Sequence, residues 1–106
     1  MLFIVTLTYR AAADDIEAQL PAHRDWLAQH IAGGRFLAAG PLEPRSGGLI
    51  AAHCEDRAEL DAMLASDPFV ALGLVDVGVL AAEPALRHAD FPSRWALGAK
   101  ALNDQS

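Results

Sequence analysis

Residues 2–9 alternate, with Phe3, Val5, Leu7 and Tyr9 on one side and Ile4, Thr6 and Thr8 on the other. This is the period-two pattern of a strand. Asp14 and Asp15 then open a helical stretch in which Ile16, Leu20, His23, Leu27 and Ile31 recur at the three- and four-residue spacing that stacks side chains on one helix face. Pro21 interrupts it, because a proline ring inside a helix clashes with the carbonyl four residues back. The pattern therefore predicts a short turn and then a main helix over residues 21–32, with Pro21 as its first residue and Gly33-Gly34 as its end.

A second strand is expected over 35–42, closed by Gly40-Pro41, and Gly47-Gly48 leads into a third over 49–54, so the two form a hairpin. Asp56 with Glu59 three residues later resembles a capping box, and Leu60, Met63 and Leu64 supply the buried stripe of a second helix that Pro68 ends or redirects. Residues 74–82 form the last strand, with Val75, Val77 and Val79 on one face and Asp76 and Gly78 on the other. The order βαββαβ is the ferredoxin-like split βαβ motif, an α+β fold with a four-stranded antiparallel sheet and both helices on one face. The other face, carrying Ile4, Thr6, Thr8, Asp76, Gly78 and Leu80, is left bare, and its mixture of types suits cover by a second subunit around a cavity. Residues 1–84 make the domain and 85–106 a tail. Phe91, Trp95 and Leu97 in that tail are costly to leave in water, so it is expected to dock on its own domain or on a partner subunit.

Composition sharpens the expectation of a homodimer. A chain of 106 residues has one core, yet 53% of it is hydrophobic, which is high for a domain that buries only about 60 to 70% of its surface by itself. Acidic residues outnumber basic ones 14 to 8, and the net charge of −6 argues against nucleic acid as a partner. The apolar opening is shorter than the roughly 20 residues of a membrane span and lacks a basic flank and a cleavage site, so neither membrane nor export is expected. Cys54 stands alone, reads as a buried inert thiol and fits a cytoplasmic setting.

Two residues stand out chemically. Asp67, in Ser66-Asp67-Pro68-Phe69, lies three and four residues beyond Leu64 and Met63 and extends their stripe if the helix persists. Alternatively it caps a short helix that starts at Pro68, and the two roles are compatible because a carboxylate offers four lone-pair sites. His23 faces inward, and in the first turn after Pro21 both the helix dipole and desolvation would favour a neutral ring, while a nearby carboxylate would pull the other way, so the sequence leaves the balance open. Taken alone, His23 also reads as a satisfied core or interface histidine. Together, a carboxylate on one ring nitrogen fixes the tautomer and aims the other at a ligand. No Ser or Cys pairs visibly with His23, which favours proton transfer over acyl transfer.

His30, His53 and His88 show no tight ligand spacing, so no metal and no cofactor are expected. Gly40-Pro41 offers close backbone approach, or simply ends a strand. Arg10, Arg45 and Ser46 lie in loops that could face a cavity mouth and bind an acidic group, although solvated loop positions are the plainer reading. Gly47-Gly48 lacks the Lys-Ser/Thr that would make a phosphate loop.

His23 after Pro21, the run Gly-Arg-Phe-Leu-Ala-Ala-Gly-Pro at 34–41, and Ser66-Asp67-Pro68-Phe69 followed by Gly73 together resemble the YCII-related domain family over residues 1–84. The resemblance implies a dimeric α+β barrel of ferredoxin-like units with a His/Asp-centred site in a cleft. His23 and Asp67 occupy the matching positions, Gly40 and Pro41 match the family's Gly-Pro near the cleft, and Ser66 is a possible pocket residue. The link over 42–48 is shorter than in many relatives, which bears on pocket size and ligand. The reading is a small cofactor-free enzyme of isomerase, lyase or hydrolase type, acting on a small organic molecule, ring-derived or lactone-like. Its alternatives are a non-catalytic binding or sensor module and a structural assembly subunit.

Overall fold

In the computed structural model, which describes residues 1–103, the alternation of residues 2–9 becomes β1 (Leu2–Tyr9). It is an inner strand of a four-stranded antiparallel sheet in the order β2 (Phe36–Pro41), β3 (Gly47–His53), β1, β4 (Val75–Ala82). Of its inward set Phe3 and Val5 are 0% and Leu7 2% exposed, whereas Tyr9, at the strand's end, is 38% exposed. β2 and β3 form the hairpin, and β4 pairs with the other edge of β1. Gly47 is required where β3 meets β1, since a Cβ there would lie 1.8 Å from the Leu7 carbonyl oxygen.

The first helix departs from expectation. α1 runs unbroken over Ala13–Ala32 with Pro21 inside it. Asp14 and Asp15 in its first turn complement the helix dipole. Pro21 lies on an exposed face together with exposed Glu17, so the ring meets solvent and the Glu17 carbonyl, which loses its helical N–H partner, can bond to water. His23 is consequently mid-helix, and the dipole argument for a neutral ring no longer applies, because that field acts within the first turn. The buried positions also differ. Ile16, His23 and Trp26 face the core, whereas Ile31 is 44% exposed.

α2 (Arg57–Ala65) opens on the expected Asp56 cap, with the Glu59 N–H donating to Asp56 Oδ1 at 2.9 Å, while Glu59 Oε1 reaches back one residue further than in a capping box and accepts the Glu55 N–H at 3.2 Å. It ends at Ser66, and a single further turn, α3 (Pro68–Ala71), precedes β4. Val77 points to the helix side with Val75 and Val79 but stays 41% exposed, because β4 is an edge strand. On the opposite face Leu80 is 73% exposed.

The tail folds on itself. β5 (Leu86–His88) pairs in parallel with β6 (Lys100–Leu102), and a 3₁₀ turn at Ser93–Trp95 lies between them. Phe91 and Trp95 meet edge to face at 5.7 Å, while Leu86 and Leu97 remain 61% and 73% exposed. The last three residues of the expected tail, 104–106, lie outside the described residues. The described chain extends 49 × 28 × 22 Å with a radius of gyration of 15.1 Å, above the roughly 13 Å of a compact 100-residue domain. Among the described residues no helix is long and apolar enough to cross a membrane.

Candidate functional site

Helical spacing turns His23 from α1 toward the short segment between α2 and α3, and there it meets Asp67. The carboxylate accepts but cannot donate, so His23 Nδ1–H donates to Asp67 Oδ1, at 2.8 Å. Asp67 is fully buried and His23 is 8% exposed. The backbone of Asp67 is extended (φ −69°, ψ 128°), the conformation of a helix N-cap, and the same Oδ1 accepts the Phe69 N–H at 3.2 Å. Capping and contact with His23 therefore coexist on one oxygen, while Oδ2 is buried with no protein partner among the described residues.

The ring of His23 is held on a second side by Phe69, whose ring stacks on it at 4.0 Å and 12°. Trp26, one turn further along α1, lies 5.6 Å away and donates its Nε1–H to the Met63 carbonyl at 3.1 Å and to Ser66 Oγ at 3.0 Å. This fixes α1 against the end of α2. With one nitrogen bonded and one face stacked, the imidazole has little freedom to turn, and Nε2 is the atom left for a ligand.

His23 lines a cavity of about 220 Å³ between α1 and the β2–β3 end of the sheet, walled by Leu7, Leu20, Leu27, Ile50 and Phe69. Gly40 and Pro41 line it, as do Arg24 and Arg45. Ser66 does not. Its hydroxyl donates to the Met63 carbonyl at 2.7 Å and receives Trp26, so it touches the site only through that ring. Arg10 also lies elsewhere, paired with Asp76 at 3.1 Å, and the Ser46 hydroxyl donates to the Pro44 carbonyl at 3.2 Å. Sequence reasoning did not single out Phe69, Trp26 or Arg24 as site residues. Their signals were present, since Trp26 is three residues from His23, Phe69 two from Asp67 and Arg24 adjacent to His23.

No three His, Cys, Asp or Glu side chains converge as a metal set among the described residues. Outside the site, burial lowers the pKa of His30 and of His53. Burial, with Glu59 nearby, pushes the Cys54 thiol up to about 11.

The family model described as the YCII-related domain matches residues 1–81. None of the curated protein sequences matches this chain. Among solved structures, a 5-chloro-2-hydroxyhydroquinone dehydrochlorinase from Burkholderia phenoliruptrix AC1100, in complex with 2,5-dihydroxybenzoquinone, is similar at a TM-score of 0.68 and 20% identity, over 79% of this chain and 95% of its own. At that identity the likeness establishes the shared fold.

Proposed function

The chain belongs to the YCII-related domain family, and on that premise we propose that it is a cofactor-free enzyme in which His23 moves a proton on a small organic substrate. His23 Nε2 takes a proton from a substrate carbon or hydroxyl, Asp67 steadies the imidazolium that forms, and the proton then returns to another atom or leaves with a departing group. General acid–base catalysis of this kind contributes about 100- to 10,000-fold. Isomerisation, elimination and hydrolysis by activated water all fit this scheme, and a ring-derived or lactone-like substrate suits the apolar walls. The similar dehydrochlorinase acts on a ring-derived hydroquinone, which supports small-molecule chemistry here. Gly40 and Pro41 offer backbone for substrate contact, and Ser66 acts through Trp26.

One observation carries the reading, namely the 2.8 Å bond from Nδ1 to a buried carboxylate in a histidine whose ring forms part of a cavity wall. A second reading, a non-catalytic binding module, is favoured by the capping bond from Phe69 to Asp67, which gives that residue a structural job without chemistry. Kinetics separates the two. His23→Ala and Asp67→Asn should each lower turnover of an identified substrate by about 100-fold or more in a folded protein. Turnover unaffected by either change leaves only the binding module.

The working unit in this proposal is a homodimer in the cytoplasm. The half-exposed sheet face bearing Ile4, Thr6 and Leu80 supports it, because a second copy laid on that face would remove apolar surface from water. The exposed Leu86 and Leu97 give the tail an apolar surface to dock on the same partner.

A further inference from the structure

We infer that the cavity beside His23 takes a small organic anion, and that Arg24 and Arg45 are the residues that hold its acidic group. The inference names the substrate class of the site proposed above and rests on that cavity being the working site.

The distribution of charge carries it. The chain has 14 acidic residues and a net charge of −6, yet among the described residues no Asp or Glu lines the cavity, while two arginines do. The remaining arginines are engaged elsewhere. Arg10 pairs with Asp76 at 3.1 Å, Arg35 with Glu59 at 3.3 Å and Arg57 with Asp61 at 2.8 Å. Arg87 donates to the Phe91 carbonyl at 2.9 Å, and Arg94 lies 4.6 Å over the Trp95 ring. Arg24 and Arg45 make no such contact within the described residues. In a protein whose overall field repels anions, two uncompensated guanidinium groups at one cavity supply a local attraction for a negative group. Guanidinium matches a carboxylate geometrically, with paired donors for two oxygens.

The walls define the rest of the ligand. Leucine, isoleucine and phenylalanine side chains make up most of the wall, and beyond the arginines the polar side chains that line it are His23 and Tyr9, so the skeleton that fits is mainly apolar. A volume of about 220 Å³ falls below the roughly 300 to 1,000 Å³ of pockets for drug-sized ligands, which suits a single ring or short chain. Arg24 comes from α1 and Arg45 from the β2–β3 link, so the acidic group would sit between two elements at the mouth, with the skeleton directed past it toward His23.

The test is a binding measurement on the intact protein, by calorimetry and by the ring signals of His23, with matched pairs. These are benzoate against benzamide, cyclohexanecarboxylate against its amide, and 4-nitrophenolate against 4-nitroanisole. At least one acid should bind with a dissociation constant of about 1 mM or lower and its neutral partner about tenfold more weakly. The doubly substituted Arg24→Gln, Arg45→Gln protein should lose about tenfold for the acid and little for the neutral compound. The carboxylate and phenolate arms identify which acidic group is preferred. Equal binding within pairs, acid binding unchanged by the double substitution, or no acid binding at about 20 mM would overturn the inference. Because no turnover is measured, the His23 reading fails separately. Turnover surviving His23→Ala would remove the proton-transfer proposal and leave the anion site standing.

Discussion

A single oxygen of Asp67 accepts two donors, the His23 ring at 2.8 Å and the Phe69 N–H at 3.2 Å. Asparagine keeps an oxygen that can accept both bonds but removes the charge, so Asp67→Asn should preserve the fold and lower turnover by about 100-fold or more. Asp67→Ala removes both bonds and should also cost about 1 to 3 kcal/mol of stability in urea unfolding. Cys54 gives a control away from the site. With its thiol pushed up to about 11, only about one molecule in a thousand carries a thiolate at pH 8, so iodoacetamide should leave the native protein unmodified and label it after unfolding. His30 and His53 have pKa values lowered from 6.5 by burial. The unfolded chain therefore takes up more protons than the folded one below that value, and stability should fall as pH drops through it. A variant with both replaced by glutamine should show a flatter dependence over that window. At this scale the sequence was informative where a residue matched a local rule: His23 continued its stripe, whereas α2 ends before Asp67, which was legible as the cap of the short helix that starts at Pro68. Ser66 was not legible in the same way, because its hydroxyl turned to the Met63 carbonyl, a choice that depends on where α2 ends.

Among the elements, β1 and the β2–β3 hairpin followed from alternation and glycine placement, and α2 followed from its Asp56 cap. The reading of α1 failed at Pro21, since a local rule about proline says nothing of how many turns around it are held by packing. Ile16 is buried upstream, and His23 and Trp26 downstream, so tertiary contacts on both sides of the proline keep one helix continuous. Pro21→Ala would restore the missing bond to the Glu17 carbonyl and should raise stability by about 1 to 3 kcal/mol. Trp26 fastens that helix to the end of α2 through Nε1. Trp26→Phe keeps an aromatic ring but a smaller one, loses both bonds and should cost at least about 1 to 2 kcal/mol; a variant as stable as the parent would show that the indole N–H does not hold these elements together.

For the whole molecule, the sequence indicated the layer arrangement and the bare sheet face, because both follow from which strands and helices exist and how they are connected. The tail was less legible. Its aromatic residues announced burial without saying against what, and β5 and β6 are too short to be read from a periodic pattern. If the tail docks on a second copy, deletion after Pro84 should weaken self-association in light scattering, and an unchanged assembly would exclude that role. Sheet, helices and aromatic packing converge on one arrangement, in which His23 is fixed by Asp67 and Phe69 beside the cavity it lines, and the proposed chemistry needs Nε2 turned to that cavity. The long-range ¹H–¹⁵N correlation spectrum of the His23 ring, recorded above neutral pH with and without benzoate, tests that arrangement most directly. The account predicts a proton on Nδ1, a bare Nε2, and a benzoate-induced shift concentrated on Nε2. A proton on Nε2, or a ring that does not respond while Leu7 and Ile50 signals move, would contradict it.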